Sequence, residues 1–100
     1  MKTDIQTINF HATNGLLDDV HEVLSKLTQF EDRITGADVY LKMHEAQVDE
    51  TREAHIKIYL PGQNLYAAHK GESFYQALHE AADKVRVQLK RKRENLLKKR

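Results

Sequence analysis

Apolar and polar residues alternate with a period of two in four stretches of the chain and with a period near 3.6 in two others, a pattern that separates strands from helices. The first stretch, IQTINFHA over residues 5–12, sets Ile8, Phe10 and Ala12 on one side and Ile5 on the other parity. This predicts a strand bent or bulged near Gln6 or Thr7. From Asn14 the period changes. Leu16, Leu17, Val20, Val23, Leu24, Leu27 and Phe30 fall on one stripe of a helix over residues 14–30. Thr13 or Asn14 can cap it, and Asp18 and Asp19 are expected in its first turn, where the helix dipole favours acids. Ile34-Thr35-Gly36 reads as a turn, after which Ala37, Val39, Leu41 and Met43 alternate with Asp38, Tyr40, Lys42 and His44 as a half-buried strand.

The polar stretch EAQVDETRE suits a hairpin loop, because Ala54, Ile56, Ile58 and Leu60 then alternate against Glu53, His55, Lys57 and Tyr59. Pro61-Gly62-Gln63-Asn64 is a second turn, since proline presets one turn dihedral and glycine tolerates the positive one. LYAAHK makes a third consecutive strand, closed at Gly71. Ser73 is a natural cap for a last helix in which Phe74, Leu78, Ala81, Val85, Leu89 and Leu96 recur at steps of three, four or seven. Lys92 interrupts that stripe with a stem long enough to lie along apolar surface.

The order β-α-β-β-β-α predicts an α+β fold: one four-stranded sheet with two helices packed on one face. The opposite face is left open, and alternation sends Tyr40, Lys42, His44, His55, Lys57, Tyr59, Tyr66, Ala68 and Lys70 toward it. With 100 residues, a single domain over 1–100 is expected, its basic C-terminal helix spanning about 73–97 and its end, 98–100, frayed. No run approaches the roughly 20 apolar residues of a membrane span, and MKTDIQTINF lacks the apolar core of a signal peptide. The expected location is therefore the cytoplasm, with no membrane partner. The chain has no cysteine, which removes disulfides, thiolate nucleophiles and cysteine-ligated zinc from consideration.

The net charge of +1 conceals an asymmetry. Residues 84–100, KVRVQLKRKRENLLKKR, carry nine Lys or Arg against one acid, a net +8, whereas residues 1–83 carry seven against fourteen, a net −7. Cations held in rows on a helix suit phosphate, because each neutralised phosphate releases condensed counterions. Lys84 and Arg91 form one row beside the apolar stripe, Arg86, Lys90 and Arg93 form another, and Lys92 and Lys98 fill between them. The open sheet face interleaves Tyr40, Tyr59 and Tyr66 with Lys42, Lys57 and Lys70, a composition able to stack bases and grip backbone; half-exposed tyrosines and lysines also simply suit a strand's solvent face. Lys57 and Tyr59 are the stronger candidates there, as members of the middle strand of three.

Residues 65–96, LYAAHKGESFYQALHEAADKVRVQLKRKRENL, resemble the ribosome hibernation-promoting factor and ribosome-associated inhibitor family. The matching elements are an alanine-rich strand (Ala67, Ala68), a glycine before a capped helix (Gly71, Ser73), and Tyr75 followed by Ala77 and Leu78. Asp83, Lys84, Gln88 and Leu89 then lead into alternating basics. Upstream, Leu24 to Phe30 and RITGADVYLK are similar to the end of that family's first helix and its second strand. Val87 stands where the family commonly has a basic residue, and Ser73 where it usually has an acidic cap. With no dimerisation domain after Arg100, the short form of the family is the expectation.

The resemblance implies a stress-response regulator of translation in bacteria that binds 16S rRNA in the decoding channel of the small ribosomal subunit and blocks mRNA and tRNA. Off the ribosome it is expected to be a monomer. Lys84, Arg86, Lys90, Arg91, Lys92, Arg93, Lys57 and Tyr59 are the expected rRNA contacts. The residues leave two alternatives open: a general RNA-binding module without a ribosomal site, and a protein-interaction module using the near-heptad spacing of residues 74–96.

Little else suggests chemistry. His11, His21, His44, His55, His69 and His79 include no HExxH and no i, i+4 pair, and His44 could face His55 only if the hairpin register allowed it, so no metal site and no cofactor are expected. His69 shares the parity of Leu65 and is expected to pack inward, His79 can pair with Asp83 one turn on, and Tyr75 is expected in the core beside the stripe. Ser25 and Ser73 sit at a helix surface and a cap, and no glycine-rich phosphate loop is present, so no catalytic residue is named and no enzyme is expected.

Overall fold

The computed structural model describes residues 2–44 and 51–98, with side chains through Glu94. Its elements follow the expected order: β1 (Lys2–Ile8), α1 (Asn14–Phe30), β2 (Gly36–His44), β3 (Thr51–Leu60), β4 (Gln63–Gly71) and α2 (Phe74–Lys98). The strands lie in one sheet in chain order. β1 pairs parallel to β2 across the α1 crossover, while β2–β3 and β3–β4 are antiparallel. Val20, Val23, Leu24 and Leu27 of α1 share one core with Leu78, Ala81, Val85 and Leu89 of α2 and with Val39, Leu41, Ile56 and Ile58 of the sheet. Both helices therefore cover the same face.

β1 departs from its expected phase. In register it pairs Thr3 with Ala37, Ile5 with Val39 and Thr7 with Leu41, so Ile5 faces the core and Ile8, 40% exposed, faces out. The strand ends where Asn9 turns left-handed at φ 69, and its side-chain amide donates to the Met43 carbonyl. Phe10 then returns to the core from a loop and stacks on Phe74, ring centres 4.4 Å apart. No bulge at Gln6 or Thr7 is needed.

Thr13 caps α1, its hydroxyl accepting from the Leu16 N–H at 3.1 Å, which leaves Asp18 and Asp19 beyond the first turn. The turn after α1 is at Asp32–Arg33 rather than 34–36: Ile34 is buried and Gly36 already begins β2. Glu31, a buried acid, holds this turn by accepting from the Arg33 guanidinium at 2.7 Å, and that contact keeps its carboxyl below the ordinary range. Pro61–Gly62 is the tip of the β3–β4 hairpin, with Gly62 at φ 75.

Ser73 caps α2 by accepting from the Gln76 N–H at 3.0 Å, while the Gln76 side chain accepts from the Glu72 N–H at 3.1 Å, a capping box displaced by one residue. The 25 residues of α2 span about 37 Å at 1.5 Å each. Leu89 is its last buried residue among those described. The helix thus overhangs the body, and the molecule measures 53 × 25 × 19 Å. Most of the expected β2–β3 loop (residues 45–50), the packing of Leu96 and the last two residues of the frayed end lie outside the described residues; Lys98 is still helical.

Candidate nucleic-acid interface

The two cationic rows of α2 flank its buried stripe and meet different neighbours. On the β4 side, Lys84 donates to the Ala68 carbonyl at 2.9 Å and Gln88 to the Tyr66 carbonyl at 2.9 Å, with Arg91 one turn further on. Lys84 is therefore engaged with the fold. On the α1 side, Arg93 donates to the Phe30 carbonyl at 2.9 Å and lays its guanidinium over the Phe30 ring, 5.0 Å from its centre. Arg86 contacts Asp83 at 3.5 Å, an exposed pair of small energetic worth. Phe30, Arg86, Val87, Lys90, Arg93 and Glu94 line an open, mainly apolar hollow between the end of α1 and the overhang. Lys92 is half-buried on the stripe line. Lys90 and Arg91 are exposed beyond Leu89 and make no ion pair among the described residues.

Lys57 and Tyr59 lie on the outer face of the sheet, away from the helices, so the fold does not bring them together with the α2 cations. Register also places acids among the expected cations and aromatics: Asp38 is opposite Lys57, and Glu53 lies between Lys42 and Lys70. The Tyr59 hydroxyl donates to Asp38 Oδ2 at 2.5 Å, and Lys57 sits 5.1 Å from the Tyr59 ring centre. The hydrogen bond to a carboxylate holds the Tyr59 hydroxyl above its ordinary value. His44 and His55 do not face each other, because Thr51 and Tyr40 are their partners in register. Instead both rings bond Glu53, and His55 also bonds the Tyr66 hydroxyl. The His44 contact, ahead of that from His55, holds the Glu53 carboxyl below its usual range. Alternation revealed this face; the pairing of its charges needed the register.

Two helical expectations change. Tyr75 is 63% exposed rather than in the core, stacked on His79 with ring centres 4.0 Å apart. His79 pairs with Asp19 of α1 at 3.1 Å rather than with Asp83, so it ties the two helices together. His69 is half-buried and opposite Ala54, on the inner face. Among the described residues, no group of three or more His, Cys, Asp or Glu is placed to hold a metal ion, and no helix is long and apolar enough to cross a membrane.

A sheet covered on one face, followed by a cationic helix that overhangs it, is accompanied by a direct match in sequence. Residues 3–97 match the Sigma 54 modulation protein / S30EA ribosomal protein family. The chain belongs to that family. It is 29% identical over 96 residues to a ribosome hibernation promoting factor of Klebsiella oxytoca, an alignment covering 96% of this chain and 97% of that protein. It spans about half the length of other, longer family relatives. The N-terminal domain of Thermus thermophilus Protein Y superposes with a TM-score of 0.78 at 25% identity, over 91% of this chain and 98% of that one. A ribosomal subunit interface protein from Coxiella burnetii superposes at 0.83 over 94% and 99% of the two chains; at 14% identity, that likeness is one of fold.

Proposed function

We propose that this chain is a ribosome hibernation factor that binds 16S rRNA in the decoding channel of the small subunit and blocks mRNA and tRNA there. The observation that carries the reading is the overhang of α2: Lys90, Arg91 and Arg93 stand beyond Leu89, the last buried residue among those described, on a helix held in place by the core, in a chain of the S30EA family. A polyanion can approach such a helix from several sides, and counterion release makes the attraction strong and largely independent of sequence. Arg86 and Lys92 extend the same surface. Lys84 contributes charge from a position already bonded to β4, and Lys57 and Tyr59 form a secondary contact on the opposite face, met when RNA surrounds the domain. The protein acts without catalysis, cofactor or membrane, as a monomer in the cytoplasm until it docks.

The test is occupancy of isolated small subunits. The protein should co-sediment with them, and prebound protein should exclude both initiator tRNA and a short mRNA. Binding to small subunits without exclusion of tRNA would leave only a general RNA-binding module, and failure to bind them at low salt would defeat the reading altogether.

A further inference from the structure

The hollow between the end of α1 and the α2 overhang has a composition that phosphate contacts alone do not call for. Its lining is mainly apolar, supplied by Phe30 and by Val87, which is 48% exposed, yet Arg86, Lys90 and Arg93 line it too. Arg93 is fixed twice by one residue, through the Phe30 carbonyl and across the Phe30 ring. A guanidinium bonded to a backbone carbonyl and held over an aromatic ring offers a positioned planar cation, and single-stranded RNA is recognised by splaying bases onto aromatic and guanidinium planes. We infer that the hollow receives one unstacked nucleobase of a single-stranded RNA, which stacks against the Phe30–Arg93 pair, with Val87 as the apolar wall and Arg86 and Lys90 meeting the flanking phosphates. Glu94, on the same rim, offers an acceptor for a base amino group. Three cations and an apolar floor match a base flanked by phosphates, and among the described residues no acid besides Glu94 lines the hollow.

This inference rests on α2 facing RNA, and its test separates the two. A short single-stranded RNA carrying one 2-aminopurine is titrated with the full chain. Stacking in the hollow should quench the fluorophore, and the same strand with an abasic site at that position should bind about tenfold more weakly. Arg93→Lys keeps the charge and the salt dependence but loses the plane, so it should abolish quenching and weaken the intact strand to about the abasic level. The abasic comparison uses the unaltered protein and does not depend on the variant's folding. Saturated binding without quenching, equal affinity for the abasic strand, or adenosine monophosphate binding as tightly as the strand would overturn the inference. Sedimentation with small subunits is measured alongside: sedimentation without quenching overturns the hollow and leaves the proposed function standing, whereas quenching without sedimentation supports the hollow and removes the ribosomal reading.

Discussion

Replacing Lys90, Arg91 and Arg93 together by glutamine removes three positive charges from the overhang and no buried group, since all three lie beyond Leu89 and are exposed. Each phosphate contact contributes about 0.7 to 0.9 to the slope of log affinity against log salt, so three lost contacts lower the slope by about 2 to 3. Between about 50 and 200 mM salt, the unaltered protein should therefore lose about 20- to 40-fold more affinity than the variant. The fold should tolerate the change: the loss of Arg93 from Phe30 removes one exposed cation–π contact and one exposed hydrogen bond to the Phe30 carbonyl, together worth about 1–2.5 kcal/mol. A matched variant with Lys42, Lys57 and Lys70 changed to glutamine removes the same charge from the sheet face. There Asp38 and Glu53 sit opposite these lysines, and its slope should change by less than about one. Affinity for small subunits, measured by sedimentation at four or five salt concentrations, decides the matter. If the sheet-face variant lowers the slope as much as the helix variant, or the helix variant leaves it unchanged, the assignment of RNA contact to the overhang is wrong.

Leu78 is fully buried between α2 and the sheet, and Leu78→Ala should cost about 2–5 kcal/mol in urea unfolding; a loss below about 1 would mean that α2 is not packed as described. Glu53 titrates below its ordinary value of 4.5, so its stabilisation is present above that pH and is lost as pH falls through the lowered value. The difference in Tm between the unaltered protein and Glu53→Gln should accordingly be full above about pH 4.5 and shrink below it, whereas a constant difference down to pH 3 would contradict the His44 and His55 contacts. Tyr59 is shifted the other way: its contribution is present below the ordinary value of 10.0 and is lost as pH rises through the raised one. Phenolate absorbance should show one late-titrating tyrosine, absent in both Tyr59→Phe and Asp38→Asn.

The helices were the most legible part of the chain, because a stripe at helical spacing survives any uncertainty about neighbours. Phe74, Leu78, Ala81, Val85 and Leu89 are all buried as their spacing requires, and Tyr75, one step off that line, is exposed. β1 was misphased because its inner face carries only one apolar side chain, Ile5, between Thr3 and Thr7, while Phe10 mimics strand alternation from a loop. The available signal was Asn9, a residue type that tolerates the left-handed turn found there. The sheet face was legible by parity but not by chemistry. That Glu53 lies between His44 and His55, and that Asp38 reaches Tyr59, depends on strand register, which alternation alone does not specify. The His79–Asp19 pair joins residues 60 apart in sequence and has no local signature at all.

These placements alter which cations the proposed function assigns to RNA. β4 is an edge strand, and Lys84 and Gln88 reach from α2 to two of its carbonyls, which helps cover an edge that would otherwise be open to a further strand. Lys84 and Gln88, part of the family-like motif, are thus bonded to the fold, and the resemblance does not by itself assign them to RNA. Residues 1–83 carry a net −7, and on the outer sheet face Asp4, Asp38 and Glu53 are interleaved with Lys2, Lys42, Lys57 and Lys70, so that face offers a polyanion little net attraction. Under the proposed function, attraction is then concentrated where α2 leaves the body, and Lys90, Arg91 and Arg93, beyond Leu89, are the cations expected to meet the nucleic acid.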